Sequence, residues 1–555
     1  MKLFTTIEGK LHFKSISCFW LVFMLLSSCE NTNEKIKKIK QPNILLIVAD
    51  DMGYADLGCF GSDISTPNID KIANEGIRFS NFYSAPSCAP ARASLLTGAD
   101  NHMAGVGSQF YRSEDQWGYE GFLSNRVVTI PQLFKDNNYQ TYMVGKWHLG
   151  GKKDQLAHNK GFQKSFILHH GAAAHYNNLG FVGLDNPSIY TLNGDEVAWP
   201  ENAYSTDLYT DYLLKFISEG KSAKKPFFAL AAYTSPHWPL QVDSSYWKKY
   251  EIKYEAGYEA LRLKRLKDLK RKGIISNDHQ LPPLHPSISP WDSLSAKEQK
   301  IETRKMALYA GMLENLDYNI GRLISQLKKN GIYDNTVLIF MSDNGAAYRD
   351  FYEAGPYKEF LQQNYDNSYE NMGNPSSFVS YGPAWAEAGS APFRYYKQYT
   401  FEGGIRVPMV IKLPTAKNTG SINNAHTTLT DIAPTLYDIA NIEFPETYNG
   451  NPIFPLKGKS IRPLINGDTD IVHSKDEAWT MEHHHHALVR KGSWKLVNPG
   501  MGWDESKFEL YNLDTDPSES NDIKGNHPKK YKELLTVWKN YKETYRIQNY
   551  NEKND

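Results

Sequence analysis

Four cysteines in 555 residues and a formal net charge of zero exclude several large classes of protein for this chain. So few thiols exclude a disulfide-built scaffold. Charge balance, with 62 Lys and Arg against 62 Asp and Glu, argues against a phosphate-coating nucleic-acid binder, which would carry a basic excess. No internal repeat is found, so a solenoid is excluded as well. What is present is ordinary globular composition, 41% hydrophobic and 22% charged, long enough for one large domain with a smaller partner. Aromatic residues are plentiful. Exposed rings suit carbohydrate or aryl ligands, although most such rings serve packing.

The N-terminus carries a processing signal. Lys2, Lys10 and Lys14 precede the apolar run ISCFWLVFMLL, and Leu-Ser-Ser-Cys follows, ending at Cys29. Basic residues, a short apolar stretch and small residues before a cleavage point predict export, and the run is too short to span a membrane. Leu-Ser-Ser-Cys is also the pattern of a bacterial lipobox. On that reading residues 1–28 are a lipoprotein signal peptide, Cys29 is lipidated and residues 29–41 form a polar tether. The protein is then exported and anchored by lipid to the envelope membrane of a Gram-negative bacterium, facing the periplasm or on the outer membrane. An ordinary signal peptide that happens to end in cysteine is the alternative. Cys59 and Cys88 remain in the mature body, where one disulfide between them stays open.

Along the chain, PNILLIVADD reads as a buried parallel strand running into two aspartates. TPNIDKIANEGIRFSNFYS reads as a capped helix and then a strand, and RASLLTG as a helix after prolines. YQTYMVGKWHLG, KKPFFALAAYTSPHWPL and NTVLIFMSDNGA repeat the scheme of an apolar strand followed by a polar loop. A long amphipathic helix follows Glu298. YEAGYEALRLKRLKDLKRKG reads as a basic helix with a solvated face, and the four histidines His483, His484, His485 and His486 as a surface tract. These elements predict an α/β fold: a mixed, mostly parallel central sheet sandwiched by helices over residues 42–468, with a smaller C-terminal α+β subdomain over 469–555.

Successive strand ends offer Asp50 and Asp51, Lys146 and His148, His237, and Asp343 and Asn344; YYKQYTFEGGIRVP adds Lys397. Strand ends on one edge of an α/β sheet converge on one crevice. Three carboxylates and an amide oxygen are hard donors, suited to calcium or magnesium, and no histidine or thiolate cluster suggests zinc.

CAPAR…LLTG fits the Cys-x-Pro-x-Arg…Thr-Gly signature of the type I, formylglycine-dependent sulfatases of the alkaline-phosphatase superfamily. ADDMGYADLGCFG, GKWHLG, SPHWP, SDNGA, KQYTFEGGIRVP and LYNLDTDPSESNDI resemble further motifs of that family, in its order, with an arylsulfatase-like cast. Ala91 departs from the serine usual after the proline. The resemblance implies hydrolysis of sulfuric esters, aryl or glycan. It implies that a formylglycine-generating, sulfatase-maturing enzyme converts Cys88 to Cα-formylglycine (3-oxoalanine), which leaves Cys59 a plain buried residue. One calcium ion per chain, with magnesium the lesser option, would be held by Asp50, Asp51, Asp343, Asn344 and the modified Cys88. Arg92, Lys146, His148, His237 and Lys397 complete the implied catalytic set. The resemblance also implies a sulfated small molecule or glycan as substrate, a membrane contact through the lipid anchor, and no nucleic acid. Two rivals stand beside it: a phosphonate monoester or phosphodiester hydrolase of the same fold, against which Asn344 argues, and a non-catalytic glycan-binding lipoprotein. Aromatic segments around 110–122 and 348–381 are candidates for sugar subsites.

Overall fold

The computed structural model describes residues 41–548 apart from 110, 181–186, 415, 417 and 501. The expected signal segment 1–28, Cys29 and the tether up to residue 40 lie outside the described residues, as does Phe110.

Strand β1 (Asn43–Ala49) is buried at every position, as its unbroken apolar run predicts for a strand covered on both faces. Ile44, Leu46 and Val48 enter one core, and Leu45, Ile47 and Ala49 the other. The remaining long strands are β2 (Ile77–Tyr83), β3 (Gln140–Lys146), β4 (Lys164–Leu168), β5 (Phe227–Ala232), β6 (Thr336–Ser342) and β7 (Arg406–Lys412). Their spatial order is β2-β7-β6-β1-β5-β3-β4, and short edge strands extend the sheet to eleven. From β6 to β4 every neighbouring pair is parallel, whereas β7 runs antiparallel to both β6 and β2. The expected mixed, mostly parallel sheet is what the chain forms.

Helices cover both faces. On one side α1 (Pro67–Asn74), α3 (Ser205–Gly220), α4 (Gly257–Arg271) and α5 (Ala296–Lys329) share a core with Leu45 and Ile47. On the other, α2 (Cys88–Thr97) and α6 (Ile432–Ala440) pack through Leu95, Leu96, Ile432 and Leu436. Helix α5, about 50 Å long, opens on a reciprocal cap. The Ser295 N–H donates to Glu298 Oε2 at 2.7 Å and the Glu298 N–H to Ser295 Oγ at 3.3 Å.

Three local readings are corrected. Thr66 does not cap α1; its hydroxyl accepts from the Gly58 N–H at 2.8 Å and donates to Asp70 at 3.0 Å. Helix α4 is not simply solvated. Arg262 and Arg265 lie three residues apart on its inward face and are buried, and Arg265 is paired with Asp56. The four histidines are not a surface tract either. His483 ends β8 (Ala478–His483), His486 opens β9 (His486–Lys491) and His484 and His485 make the two-residue turn between them; His483, His485 and His486 are buried. Their cover comes from distant rings, Trp503 on His485 and Tyr399 on His486.

Strands β8 and β9 continue into β10 (Trp494–Asn498) and β11 (Glu509–Asn512), all antiparallel. Helix α7 (Pro528–Thr544) lays Leu534 and Trp538 on Val489, Leu496 and Leu510, giving the C-terminal sheet its own small core.

Candidate active site

Register assembles the site. Parallel pairing sets Ala49 opposite Ser342, so Asp50 and Asp51 leave β1 beside Asp343 and Asn344 leaving β6. On the other flank β5 pairs Ala232 with Gly145 of β3, which brings Lys146 to the same edge. Gly145 is required there: its φ is +94°, and a Cβ would meet the Ala232 carbonyl oxygen at 1.9 Å. Because β7 is antiparallel, the segment that precedes it, with Lys397, also reaches this edge. Helix α2 begins with Cys88 itself, so its first amides face the same space. His237 sits between two cis X–Pro bonds, Ser235–Pro236 and Trp238–Pro239.

Nine of the ten predicted residues form one contact network. Cys88 Sγ lies 3.3 Å from Asp50 Oδ1, 3.6 Å from Asp51 Oδ1 and 3.1 Å from Lys397 Nζ. Lys146 Nζ holds both oxygens of Asp50, at 3.0 and 2.8 Å, and Lys397 Nζ both oxygens of Asp51, at 2.7 and 2.8 Å. Arg92 donates to Asp343 Oδ2 at 2.9 and 3.2 Å and to the Lys146 carbonyl at 2.9 Å. His237 Nε2 is 3.3 Å from Asp51 Oδ2, and Asn344 Nδ2 donates to Asp51 Oδ1 at 2.6 Å. His148 stands apart. It is buried at the edge, with Nε2 3.4 Å from an Arg112 nitrogen and its ring against Gly171.

The electrostatics follow from burial and pairing. Burial alone would raise Asp50, but Lys146, with His237 and Arg92, holds it down to about 2. Lys397 and His237 likewise outweigh burial at Asp51 and keep it below the usual range. Asp343 is raised by burial and by the charge of Asp50. Burial and Asp50 push the Cys88 thiol well up, so it stays protonated. His237 is lowered by burial, and His148 much further by burial and by Lys146 and Arg112.

The residues also fit a hard cation. One ligand atom each from Asp50, Asp51, Asp343 and Cys88 lie within 4.8 Å of one another. Asn344 Oδ1 is buried beside them without a hydrogen-bond partner. Oxygen donors of this kind suit calcium or magnesium. Strained backbone marks the same place: Asp51, His148, Tyr395 and Gln398 all have φ between +59° and +76°.

The family model for sulfatases matches residues 42–442. The chain belongs to the sulfatase family. A second model, for the C-terminal part of N-sulphoglucosamine sulphohydrolase, matches residues 392–547. The sulfatase is 38% identical to an arylsulfatase of Klebsiella aerogenes over 77% of this chain and 92% of that one. A crystal structure of Ps i-CgsB in complex with k-i-k-neocarrahexaose matches with a TM-score of 0.65 and 25% identity, covering 90% of this chain and 93% of that one. The phosphonate monoester hydrolase of Agrobacterium radiobacter shares the fold, at 17% identity and a TM-score of 0.56. This sulfatase is therefore a sulfuric ester hydrolase.

Cys59 and Cys88 are both free thiols, so the disulfide left open by counting is not formed. Two neighbours of the site went unread in the sequence. Gln109 Oε1 accepts from Ser87 Oγ at 2.5 Å at the mouth of α2, and Arg112 reaches His148. Both come from a loop with no periodicity, and nothing local marks them.

Proposed function

We propose that this sulfatase releases inorganic sulfate from sulfated glycans, and from aryl sulfates as model substrates, using Cys88 after its conversion to Cα-formylglycine. The observation that carries this reading is Cys88 itself. Its thiol is wedged between two aspartates and a lysine at a helix start and held protonated, where it is a poor nucleophile as it stands. A maturing enzyme, with an oxidant of its own, would remove two electrons from Cβ, release the sulfur as sulfide and leave an aldehyde that hydrates. The hydrated aldehyde supplies two hydroxyls on one carbon, one to take the sulfuryl group and one to expel it as sulfate. Calcium, with magnesium the lesser option, would be held by Asp50, Asp51, Asp343, Asn344 and the modified Cys88 and would offset the negative charge gathered there.

The other side chains divide the remaining tasks. Arg92, tied to Asp343 and to the Lys146 carbonyl, fixes the floor beneath Cys88. Lys146 and Lys397, both buried, present ammonium groups to the sulfate oxygens and stabilise charge as it moves. His237 Nδ1 donates to the Trp238 carbonyl at 2.7 Å, so only the doubly protonated ring, with Nε2–H beside Asp51, can pass a proton from Nε2 to the departing alcohol oxygen. His148, kept neutral by its cationic neighbours, accepts the proton released when sulfate leaves.

A glycan substrate is supported by the oligosaccharide complex of the similar structure and by half-exposed tyrosines at the rim, Tyr348 and Tyr399. Tyr381, by contrast, is core, stacked on Tyr309 at 4.5 Å. Export and lipidation at Cys29 rest on the N-terminal sequence and place the enzyme in the envelope of a Gram-negative bacterium. The test is a mass spectrum of the Cys88 peptide from the native host, beside turnover of an aryl sulfate and an aryl phosphodiester. Aldehyde at Cys88 with sulfate strongly preferred is expected. An unmodified thiol in active enzyme, or preference for the phosphodiester, overturns the reading.

A further inference from the structure

Lys397 lies on a loop whose conformation is costly. Tyr395 and Gln398 flank it with φ of +61° and +76°, in the left-handed region that disfavours any residue but glycine. Such a loop persists only where its surroundings over-determine it. Here the surroundings come from the C-terminal sheet. Thr400 Oγ1 donates to the Ala487 carbonyl of β9 at 3.1 Å, and Phe401 packs on Val497 and Tyr511 of β10 and β11.

The two ends of the loop meet on one residue. At its start, Arg394 donates to the Glu519 carbonyl at 2.9 Å and to the Tyr511 hydroxyl at 3.1 Å. At its end, the Glu402 N–H donates to Glu519 Oε2 at 2.6 Å. Lys495 of β10 lies 2.8 Å from Glu402 Oε1 and 2.7 Å from Glu519 Oε1. Tyr83 and Arg406 serve the other oxygen of Glu402, at 2.6 and 3.4 Å. Glu402, Lys495 and Glu519 are fully buried. We propose that Glu519 is the positioning residue for Lys397: it pins both ends of the loop and so fixes where the ammonium meets the sulfate ester. This rests on the reading of Lys397 as a sulfate-binding group. The pinning is done by the Glu519 carbonyl and by Oε2, while Oε1 faces Lys495. Burial raises that carboxyl to about 7, and a glutamine there keeps the acceptor for the Glu402 N–H but turns an amide NH2 toward the Lys495 ammonium.

The experiment is a double-mutant cycle on aryl sulfate turnover in the matured enzyme, with E519A, E519Q and K397A. Expected is a loss in kcat/KM of about tenfold or more for E519A, a smaller loss for E519Q, and no more than about twofold for E519A in the K397A background. Additive losses, or an E519A enzyme with lowered Tm but unchanged kcat/KM per folded molecule, overturn the proposal. If K397A alone is fully active, the reading of Lys397 fails and the proposal with it. If E519A does not fold, E519D, which draws the carboxylate back from the Glu402 N–H, replaces it in the cycle, with the same coupling expected and additivity again overturning.

Discussion

Two buried charge clusters in this sulfatase make an instructive pair. Around His102, Asp100 Oδ1 meets the imidazole Nδ1 at 3.0 Å, and Asp100 Oδ2 accepts from Lys457 at 2.6 Å and Tyr541 at 3.0 Å. Glu482 completes it, with one oxygen 3.0 Å from His102 Nε2 and the other accepting the His485 N–H at 2.9 Å. Every carboxylate oxygen there has its partner. Around Cys88, three carboxylates face Arg92, Lys146 and Lys397, also balanced in charge. Yet the Asn344 amide oxygen is left without a partner, and the backbone beside it is strained. The complete network ties the segment just after α2 to β8 and α7, and the incomplete one keeps a hard oxygen donor uncommitted. Between these two clusters, the uncommitted oxygen belongs to the one whose donor set suits a cation.

The largest effect that would break this contrast is at Cys88. C88A is expected to lower aryl sulfate turnover by at least about a thousandfold. C88S, lacking the second hydroxyl of a hydrated aldehyde, is expected to release at most one equivalent of alcohol per enzyme in a burst assay. Sustained turnover by C88S would sink the proposed chemistry. Next comes Asn344. N344A is expected to weaken calcium binding by about tenfold to a hundredfold, read by calorimetric titration of metal-free protein, with activity falling alongside. Unchanged calcium affinity would remove Asn344 from the ligand set.

A smaller effect, on stability alone, is expected at His102. Burial alone would lower His102, but the hydrogen bonds it donates to Asp100 and Glu482 raise it to about 9. A group raised on folding stabilises fully below its unfolded value near 6.5 and loses that contribution as pH rises through 9. Wild type should therefore lose on the order of 3 kcal/mol from this group between pH 6.5 and pH 9. H102Q should show a flatter profile in urea unfolding while kcat per folded molecule changes little. Parallel profiles for the two proteins would mean that the imidazole is not held charged.

Much of the fold was legible because β1, β5 and β6 are covered on both faces and therefore read as unbroken apolar runs. Their order and register were not legible: β1 and β6 lie nearly three hundred residues apart, and nothing in either run names its neighbour. The candidate site was legible through family motifs at strand ends, which bring their own spacing. Contacts made by chance of tertiary approach escaped. Arg265 looked solvated because Asp56, which neutralises it, is far away in sequence. The histidine turn looked exposed for the same reason, since polar sequence says nothing of the rings that will cover it. Gln109 and Arg112 sit in an unpatterned loop and left no trace before folding.

Cys88 has no solvent-accessible surface in the folded chain, sealed behind aspartates contributed by a strand it meets only when the sheet closes. If another protein must reach that sulfur, sequence of events is dictated by geometry: tailoring comes first and closure second. A molecule that folds first holds Cys88 inside α2, out of reach of a protein that needs the segment extended, although a small ester still has to enter between the strand ends.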